Sequence, residues 1–173
     1  MKKLFLVLLL AVLTSFVFCF QGYSDSLLEG PYAPVFIIPE GLESADRYLS
    51  QQERVKSLIP KKEEVNVSPY PGAVVFLVHT TDELKQVTGK AGLAEIKIIV
   101  TDPLEDVVEF YNEQLPDWSY NETFSIFWEG KGDFSISKLM EGMPHISIVE
   151  ASPVVTDLVP EATFLIGIVY EVR

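Results

Sequence analysis

The segment TDPLEDVVEFYNEQLP, residues 101–116, carries the strongest structural signal in the chain. The carboxylate of Asp102 can accept hydrogen bonds from the first N–H groups of a helix, and Pro103 suits the first helical position, where a missing N–H costs nothing. Glu105 follows three residues after Asp102, which completes a capping box with Asp in place of Ser or Thr. The segment therefore predicts a helix that begins at Pro103 and is capped by Asp102.

The same segment contains an apolar stripe. Five residues recur at helical spacing, as expected for one buried helix face: Leu104, Val107, Val108, Tyr111 and Leu115. The carboxylates of Asp106, Glu109 and Glu113 fall outside the stripe, so they are expected to face water. Pro116 is expected to end the helix. This helix is the element on which we expect the rest of the domain to pack.

Two strands are predicted before the helix. Residues 73–79 form a continuous apolar run with three valines, which is typical of a buried strand. In residues 95–100 the apolar side chains of Ile96, Ile98 and Val100 fall on one face. The polar segment 80–94 between the two strands contains a candidate short helix at 82–87.

Four more strands are predicted after the helix, at residues 123–128, 133–138, 145–150 and 164–172. The sequence Gly-Lys-Gly at 130–132 predicts a hairpin turn between the first two. Short strands joined by tight turns favour antiparallel pairing. The predicted fold class is therefore α+β: a curved antiparallel sheet of about six strands packed on one main helix, in the order β-β-α-β-β-β-β.

The N-terminus predicts export. Lys2 and Lys3 are followed by a run without charge to Phe18, the layout of a secretory signal peptide. Cleavage after Ser24 fits the preference for small residues, so residues 1–24 are predicted to be a signal peptide. An uncleaved N-terminal anchor and a lipid anchor on Cys19 are the alternatives.

The remaining chain divides into two predicted parts. Residues 25–67 are interpreted as a proline-containing linker with a marginal amphipathic helix at 42–58, whose thin apolar face predicts weak packing on the domain. A turn-rich segment, Ser68-Pro69-Tyr70-Pro71-Gly72, marks the predicted start of an α+β domain at 68–173.

Charge and cysteine content exclude several classes of protein. Lys and Arg number 13 against 25 Asp and Glu, for a formal net charge of −12, which argues against nucleic acid as a partner. The single cysteine rules out an intramolecular disulfide and cysteine-rich zinc patterns. No cofactor or metal is expected.

Two stretches together resemble small exported domains of uncharacterised bacterial proteins, often lipoproteins. They are Tyr70-Pro71-Gly72 before the first strand, and the Asp102-Pro103 helix with Phe110-Tyr111 that ends near Trp118. The resemblance covers residues 68–173 and implies an exported domain. It implies no activity.

The chain contains two histidines. His79 at the end of a predicted strand, with Asp82 and Glu83 close behind it, is the one candidate for acid–base chemistry. The other interpretation is a surface histidine beside a solvated loop. His145 begins a predicted strand, and it too is interpreted as a surface histidine. No catalytic residue is assigned.

Aromatic residues crowd between 118 and 134, and aromatic side chains are common anchors for partners and ligands. A strand cannot point both Phe127 and Trp128 into one core. Trp118, Phe127 and Trp128 are therefore the candidate binding residues, with packing inside the protein as the alternative.

These observations predict an exported envelope protein, periplasmic or secreted, that acts as a non-enzymatic binding or accessory module. Its expected partner is an envelope protein or a small apolar ligand. Contact with the membrane is expected only through an uncleaved N-terminus or a lipid anchor. The alternatives are a small enzyme that uses His79 with Asp82 or Glu83, and a membrane-tethered structural protein.

Overall fold

The computed structural model describes residues 45–61, 64–131, 134–140 and 142–172. The predicted signal peptide, Cys19 and the first part of the predicted linker lie outside these residues. Within the described ranges, none of the helices combines the length and apolarity that crossing a membrane requires.

A single antiparallel sheet of six strands forms the centre of the described structure. The strands are β1 (Val74–His79), β2 (Leu93–Val100), β3 (Trp118–Asn121), β4 (Ile126–Glu129), β5 (His145–Glu150) and β6 (Phe164–Glu171). Their spatial order is β1-β2-β6-β5-β4-β3, and every neighbouring pair is antiparallel. The α+β class with an antiparallel sheet is thus confirmed.

Helices flank the sheet at several points. They are α1 (Ala45–Leu58), α2 (Thr81–Thr88), α3 (Leu104–Gln114), α4 (Ile136–Met140) and α5 (Pro153–Thr156). The predicted short helix at 82–87 is α2, and the predicted helix at 42–58 is present as α1 in the described residues.

The apolar stripe of α3 packs on the sheet as predicted. Val107 and Tyr111 are both 0% exposed. They share one core with side chains from the inner face of the sheet: Ile96, Ile98, Ile146, Ile166 and Ile168. The acidic residues opposite the stripe are exposed, and the helix ends at Gln114, two residues before Pro116.

The predicted role of Asp102 as a helix cap is wrong. The N-cap of α3 is Pro103, whose backbone is extended, and no side chain caps the helix. Asp102 lies one residue further out, and its Oδ2 accepts a hydrogen bond from the Tyr70 hydroxyl at 2.8 Å. This bond ties the turn at 70–72 to the start of α3.

The predicted strand at 133–138 is also wrong. Residues 136–140 form α4, and β4 pairs with β3, which precedes it in the chain, on one side and with β5 on the other. Trp118 and Tyr120 alternate with polar residues in β3, and both pack against the core, where Tyr120 pairs with Phe127. Phe134 instead packs on the ring of Trp128, with centroids 5.3 Å apart.

Helix α1 packs more closely on the sheet than its thin apolar face predicts. Val55 is 0% exposed and belongs to the main core, together with Val65 and Val67. Gln51 Nε2 donates to the carbonyl of Phe76 at 2.7 Å, and Arg54 Nη1 donates to that of Val78 at 3.2 Å. These two carbonyls belong to the edge strand β1, so α1 protects that edge from pairing with other chains.

A valine pair tests whether α1 is part of the cooperative core. We expect Val55→Ala to lower the free energy of unfolding by about 2 kcal/mol, since it removes buried methyl groups and leaves a cavity. Val87→Ala in α2 is the matched control: Val87 is 83% exposed, and we expect a change below about 0.5 kcal/mol. Urea unfolding measures both. Equal effects of the two substitutions would contradict the packing of α1 on the core.

Alkaline pH is expected to destabilise the fold through two tyrosines. Burial and the Asp102 carboxylate raise the pKa of Tyr70 to about 12, and burial, with a smaller contribution from Glu64, raises the pKa of Tyr170 to about 12. In the unfolded chain both hydroxyls lose their protons near the ordinary pKa of 10.0. The two protonated tyrosines therefore contribute fully to the free energy of unfolding below pH 10, and this contribution is lost as the pH rises towards 12. Urea midpoints across this range should fall less steeply for Tyr70→Phe and Tyr170→Phe. Unchanged slopes in both variants would contradict the shifts.

Candidate functional site

Trp118 follows the short connection between the end of α3 and the sheet. Leu115 caps the helix, Pro116 prevents its continuation, and the Trp118 N–H donates to the Leu115 carbonyl at 2.9 Å. This tight connection places Trp118 at the start of the edge strand β3. Its side chain packs against the core while remaining partly exposed.

A cleft of about 430 Å³ opens beside Trp118. Its polar lining comes from Asn66, Gln114, Asp117 and Glu129. Trp118 and Glu129 are directly opposite each other in the β3–β4 ladder, which places their Cβ atoms about 5 Å apart on the same side of the sheet.

The charge of this cleft restricts its ligands. The residues that line it include two carboxylates, two amides and an indole, and none is basic. Carboxylates repel an anion, whereas an indole face next to a carboxylate attracts a cation or a polar neutral group. The cleft therefore suits a neutral or positively charged ligand.

The other two predicted binding residues lie inside the protein. Phe127 is 1% exposed and packs among the rings of Tyr111 and Tyr120, with centroids 5.9 and 4.5 Å away. Trp128 is 8% exposed and points to the opposite face of the sheet, against Phe134. The two adjacent aromatics thus fill different faces, whereas Trp118 lines the cleft described above.

His79 does not pair with the carboxylates that follow it in sequence. The Glu83 carboxylate accepts from the Thr80 backbone N–H, and the Glu83 backbone N–H donates to the Thr80 hydroxyl, which together form a capping box. The same carboxylate forms an ion pair with Arg54 of α1. The pKa of Glu83 is lowered, mainly by the Thr80 backbone hydrogen bond. Asp82 is exposed in the first turn of α2. Both carboxylates are thereby separated from His79.

The partner of His79 is Glu95. Nδ1 of His79 lies 2.6 Å from Oε2 of Glu95, and the two residues are opposite each other in the β1–β2 ladder. Lys97 Nζ lies 3.7 Å from the other oxygen of the same carboxylate, Oε1. The Glu95 side chain is 14% exposed. The sequence predicts His79 and Glu95 on two successive strands, but it does not reveal that they pair, because the pairing depends on the register between those strands.

His145 has a simpler environment. Its Nδ1 lies 2.9 Å from the carbonyl oxygen of Met143, just before β5 begins. A carbonyl only accepts, so this nitrogen donates.

Histidine and carboxylate side chains are the residues that could ligate a metal ion. Among residues 45–61, 64–131, 134–140 and 142–172, no three His, Cys, Asp or Glu side chains are grouped as metal ligands. The carboxylates of Glu105, Asp106, Glu109 and Glu113 on α3 are exposed to solvent.

A second cleft, of about 370 Å³, lies between the end of α1 and the sheet. Its polar lining includes Lys61, Glu64, His79 and the nearly buried Tyr170. Burial raises the pKa of Tyr170 to about 12, so this hydroxyl stays protonated further into the alkaline range than an ordinary tyrosine. The group can therefore donate a hydrogen bond there but is not a base.

Comparison of the chain with models of protein families, with curated proteins and with solved structures finds no match. The functional argument therefore rests on the geometry above.

The tautomer of His79 is a direct test of its pairing. A carboxylate at Nδ1 requires the proton there, so neutral His79 is expected as the Nδ1–H form. Long-range nitrogen–proton NMR reads the tautomer. Glu95→Ala should shift His79 towards the Nε2–H form while leaving His145 unchanged as the internal control. Nε2–H imidazole at position 79 in the unsubstituted protein would contradict the pairing.

Proposed function

We propose that the protein is an exported, non-enzymatic binding module of the bacterial envelope and that its partner occupies the cleft beside Trp118. The observation that carries the proposal is the position of Trp118, an indole in a cleft of about 430 Å³ at the sheet edge. Tryptophan is among the residues that contribute most to binding when a partner covers them.

Export is supported by the N-terminal sequence, in which two lysines precede a long uncharged apolar run. A net charge of −12 favours a soluble exported chain and attracts basic surfaces. Both properties suit a protein that meets its partner outside the cytoplasm.

The polar lining of the cleft limits the kinds of partner that can bind there. Two carboxylates and two amides surround the indole, and burying them against a purely apolar ligand would leave polar groups without hydrogen bonds. We therefore favour an envelope protein that presents a polar or basic side chain over a small apolar ligand.

A tryptophan pair tests the proposal, because the chain contains only Trp118 and Trp128. The full-length protein is incubated with solubilised envelope from the source cells, and the bound fraction is measured as a function of protein concentration. We expect Trp118→Ala to weaken binding at least about tenfold, as for an interface hot spot. Trp128→Phe, an aromatic replacement at a buried position, should bind as the unsubstituted protein does.

Two outcomes would contradict the proposal. If Trp118→Ala binds as well as the unsubstituted protein, the partner does not bind in the cleft. The proposal of an exported binding module would be wrong if no envelope component bound the protein saturably. It would also be wrong if the native protein were recovered from the cytoplasm of the source cells.

A small enzyme is the second candidate function, and the His79–Glu95 pair is the observation that favours it. A carboxylate at 2.6 Å orients an imidazole as it does in general-base catalysis. The enzyme hypothesis ranks second because general-base catalysis also needs a nucleophile or substrate within reach of Nε2 of His79. Ser147, on the same sheet face, belongs to a strand three positions away from β1, so the backbones of the two residues are about 14 Å apart at the usual strand spacing.

A further inference from the structure

The cleft between the end of α1 and the sheet, here called the Tyr170 cleft, has a volume of about 370 Å³. Protein pockets that hold small molecules commonly measure about 300–1,000 Å³, so this cleft has room for a small ligand. Val172 at its mouth is 43% exposed, which leaves apolar surface that a ligand can cover. The apolar lining includes Leu58, Ile59, Val78, Ala94 and Val172.

The hydroxyl of Tyr170 lacks a partner in this cleft. Tyr170 is only 3% exposed and belongs to the main core, yet it also lines the cleft. Within the part of the chain that the structure describes, no group forms a hydrogen bond with its hydroxyl. A buried polar group without a hydrogen bond costs free energy. The cleft therefore favours a ligand atom that accepts a hydrogen bond from Tyr170.

Two side chains of opposite charge line the same cleft, Lys61 and Glu64. The Lys61 ammonium forms no ion pair with any described residue. Glu64 Oε2 accepts from the Lys61 backbone N–H at 2.9 Å, whereas Oε1 has no hydrogen bond to a described residue. The charge of Glu64 contributes to the raised pKa of Tyr170, so the carboxylate lies within electrostatic range of the hydroxyl.

We propose that the Tyr170 cleft binds a free α-amino acid with an apolar side chain, such as leucine. The ligand carboxylate accepts from the Tyr170 hydroxyl and pairs with the Lys61 ammonium, and the ligand ammonium donates to Glu64. The ligand side chain covers the apolar lining. Every group of the ligand then has a matching group in the cleft.

Ligands with one charged group match the cleft less well. A carboxylate without an ammonium group is repelled by Glu64 and leaves its free oxygen without a donor. An ammonium group without a carboxylate is repelled by Lys61, and it cannot accept from Tyr170 because it only donates. The opposite charges of Lys61 and Glu64 thus favour a ligand that carries both charges.

This inference does not depend on the function proposed for Trp118. The Tyr170 cleft includes residues of β1, whereas the Trp118 cleft lies at β3, the opposite edge of the six-stranded sheet. Loss of one activity therefore leaves the other testable.

The test is an NMR titration of the full-length, nitrogen-labelled protein with L-leucine and three analogues. We expect leucine to shift the amide signals of Thr81, Tyr170 and Val172 in a saturable way. L-Alanine keeps both charges but lacks most of the apolar side chain, and it should bind at least about tenfold more weakly. We expect weaker binding also from 4-methylpentanoate, which lacks the ammonium group, and from 3-methylbutylamine, which lacks the carboxylate.

Three substitutions assign the groups of the cleft. Tyr170→Phe removes only the hydroxyl and should weaken leucine binding about three- to tenfold. Lys61→Met should weaken leucine and 4-methylpentanoate about two- to fivefold and should not weaken 3-methylbutylamine. Glu64→Gln should weaken leucine by a similar factor and should not weaken 4-methylpentanoate.

Two matched controls lie at the other side of the sheet. Tyr120→Phe removes a tyrosine hydroxyl from β3, and Lys131→Met removes an exposed lysine that follows β4. Both variants should bind leucine as the unsubstituted protein does. Thermal unfolding checks that every variant is folded, and the opposite selectivities of Lys61→Met and Glu64→Gln decide the matter if Tyr170→Phe does not fold.

Three results would overturn the proposal. The first is that leucine shifts none of the cleft amides, or shifts only those of Trp118 and its neighbours. The second is full affinity for leucine in a folded Tyr170→Phe variant, or unchanged selectivity in Lys61→Met and Glu64→Gln where Tyr170→Phe fails to fold. The third is that 4-methylpentanoate or 3-methylbutylamine binds as tightly as leucine, which would mean that the cleft does not recognise both charges.

Discussion

The pairing of β2 with β6 is the contact on which the structure depends. These two eight-residue strands pair along their whole length, from Leu93 with Glu171 to Val100 with Phe164. Strand β6 is the last of the described strands in sequence order, and it lies between β2 and β5. It therefore joins the β1–β2 unit to the β5-β4-β3 unit, and a long-range ladder of this kind forms only after a large loop is closed.

This central pair also fixes both faces of the sheet. On the inner face Ile96, Ile98, Ile166 and Ile168 are fully buried under α3. On the face of the sheet opposite α3, the same strands carry Glu95, Lys97 and Gly167, so the register that builds the core also brings these residues together. A slip of one residue would exchange the two sets.

Elements with strong local patterns could be predicted from the sequence, and those that depend on pairing could not. The stripe from Leu104 to Leu115 identifies α3, and alternation identifies β2 and β6. The segment 133–138 alternates as a strand does, yet residues 136–140 form a helix, and the two sides of β4 are occupied by β3 and β5. Trp118 was found as a binding candidate from its residue type, whereas Glu95 could not be linked to His79 without the β1–β2 register.

The two edges of the sheet differ in a way that bears on function. At β1, side chains of α1 bind the outward carbonyls of Phe76 and Val78, so this edge is closed to another strand. At the β3 edge, the chain presents a partly exposed indole beside two carboxylates. A protein that needed only to avoid association would gain from covering a tryptophan there, since exposed aromatic surface invites contacts. The combination of a protected edge and an aromatic, acidic edge leaves the β3 edge as the side where the proposed partner would bind, and this asymmetry supports the proposal that places binding at Trp118.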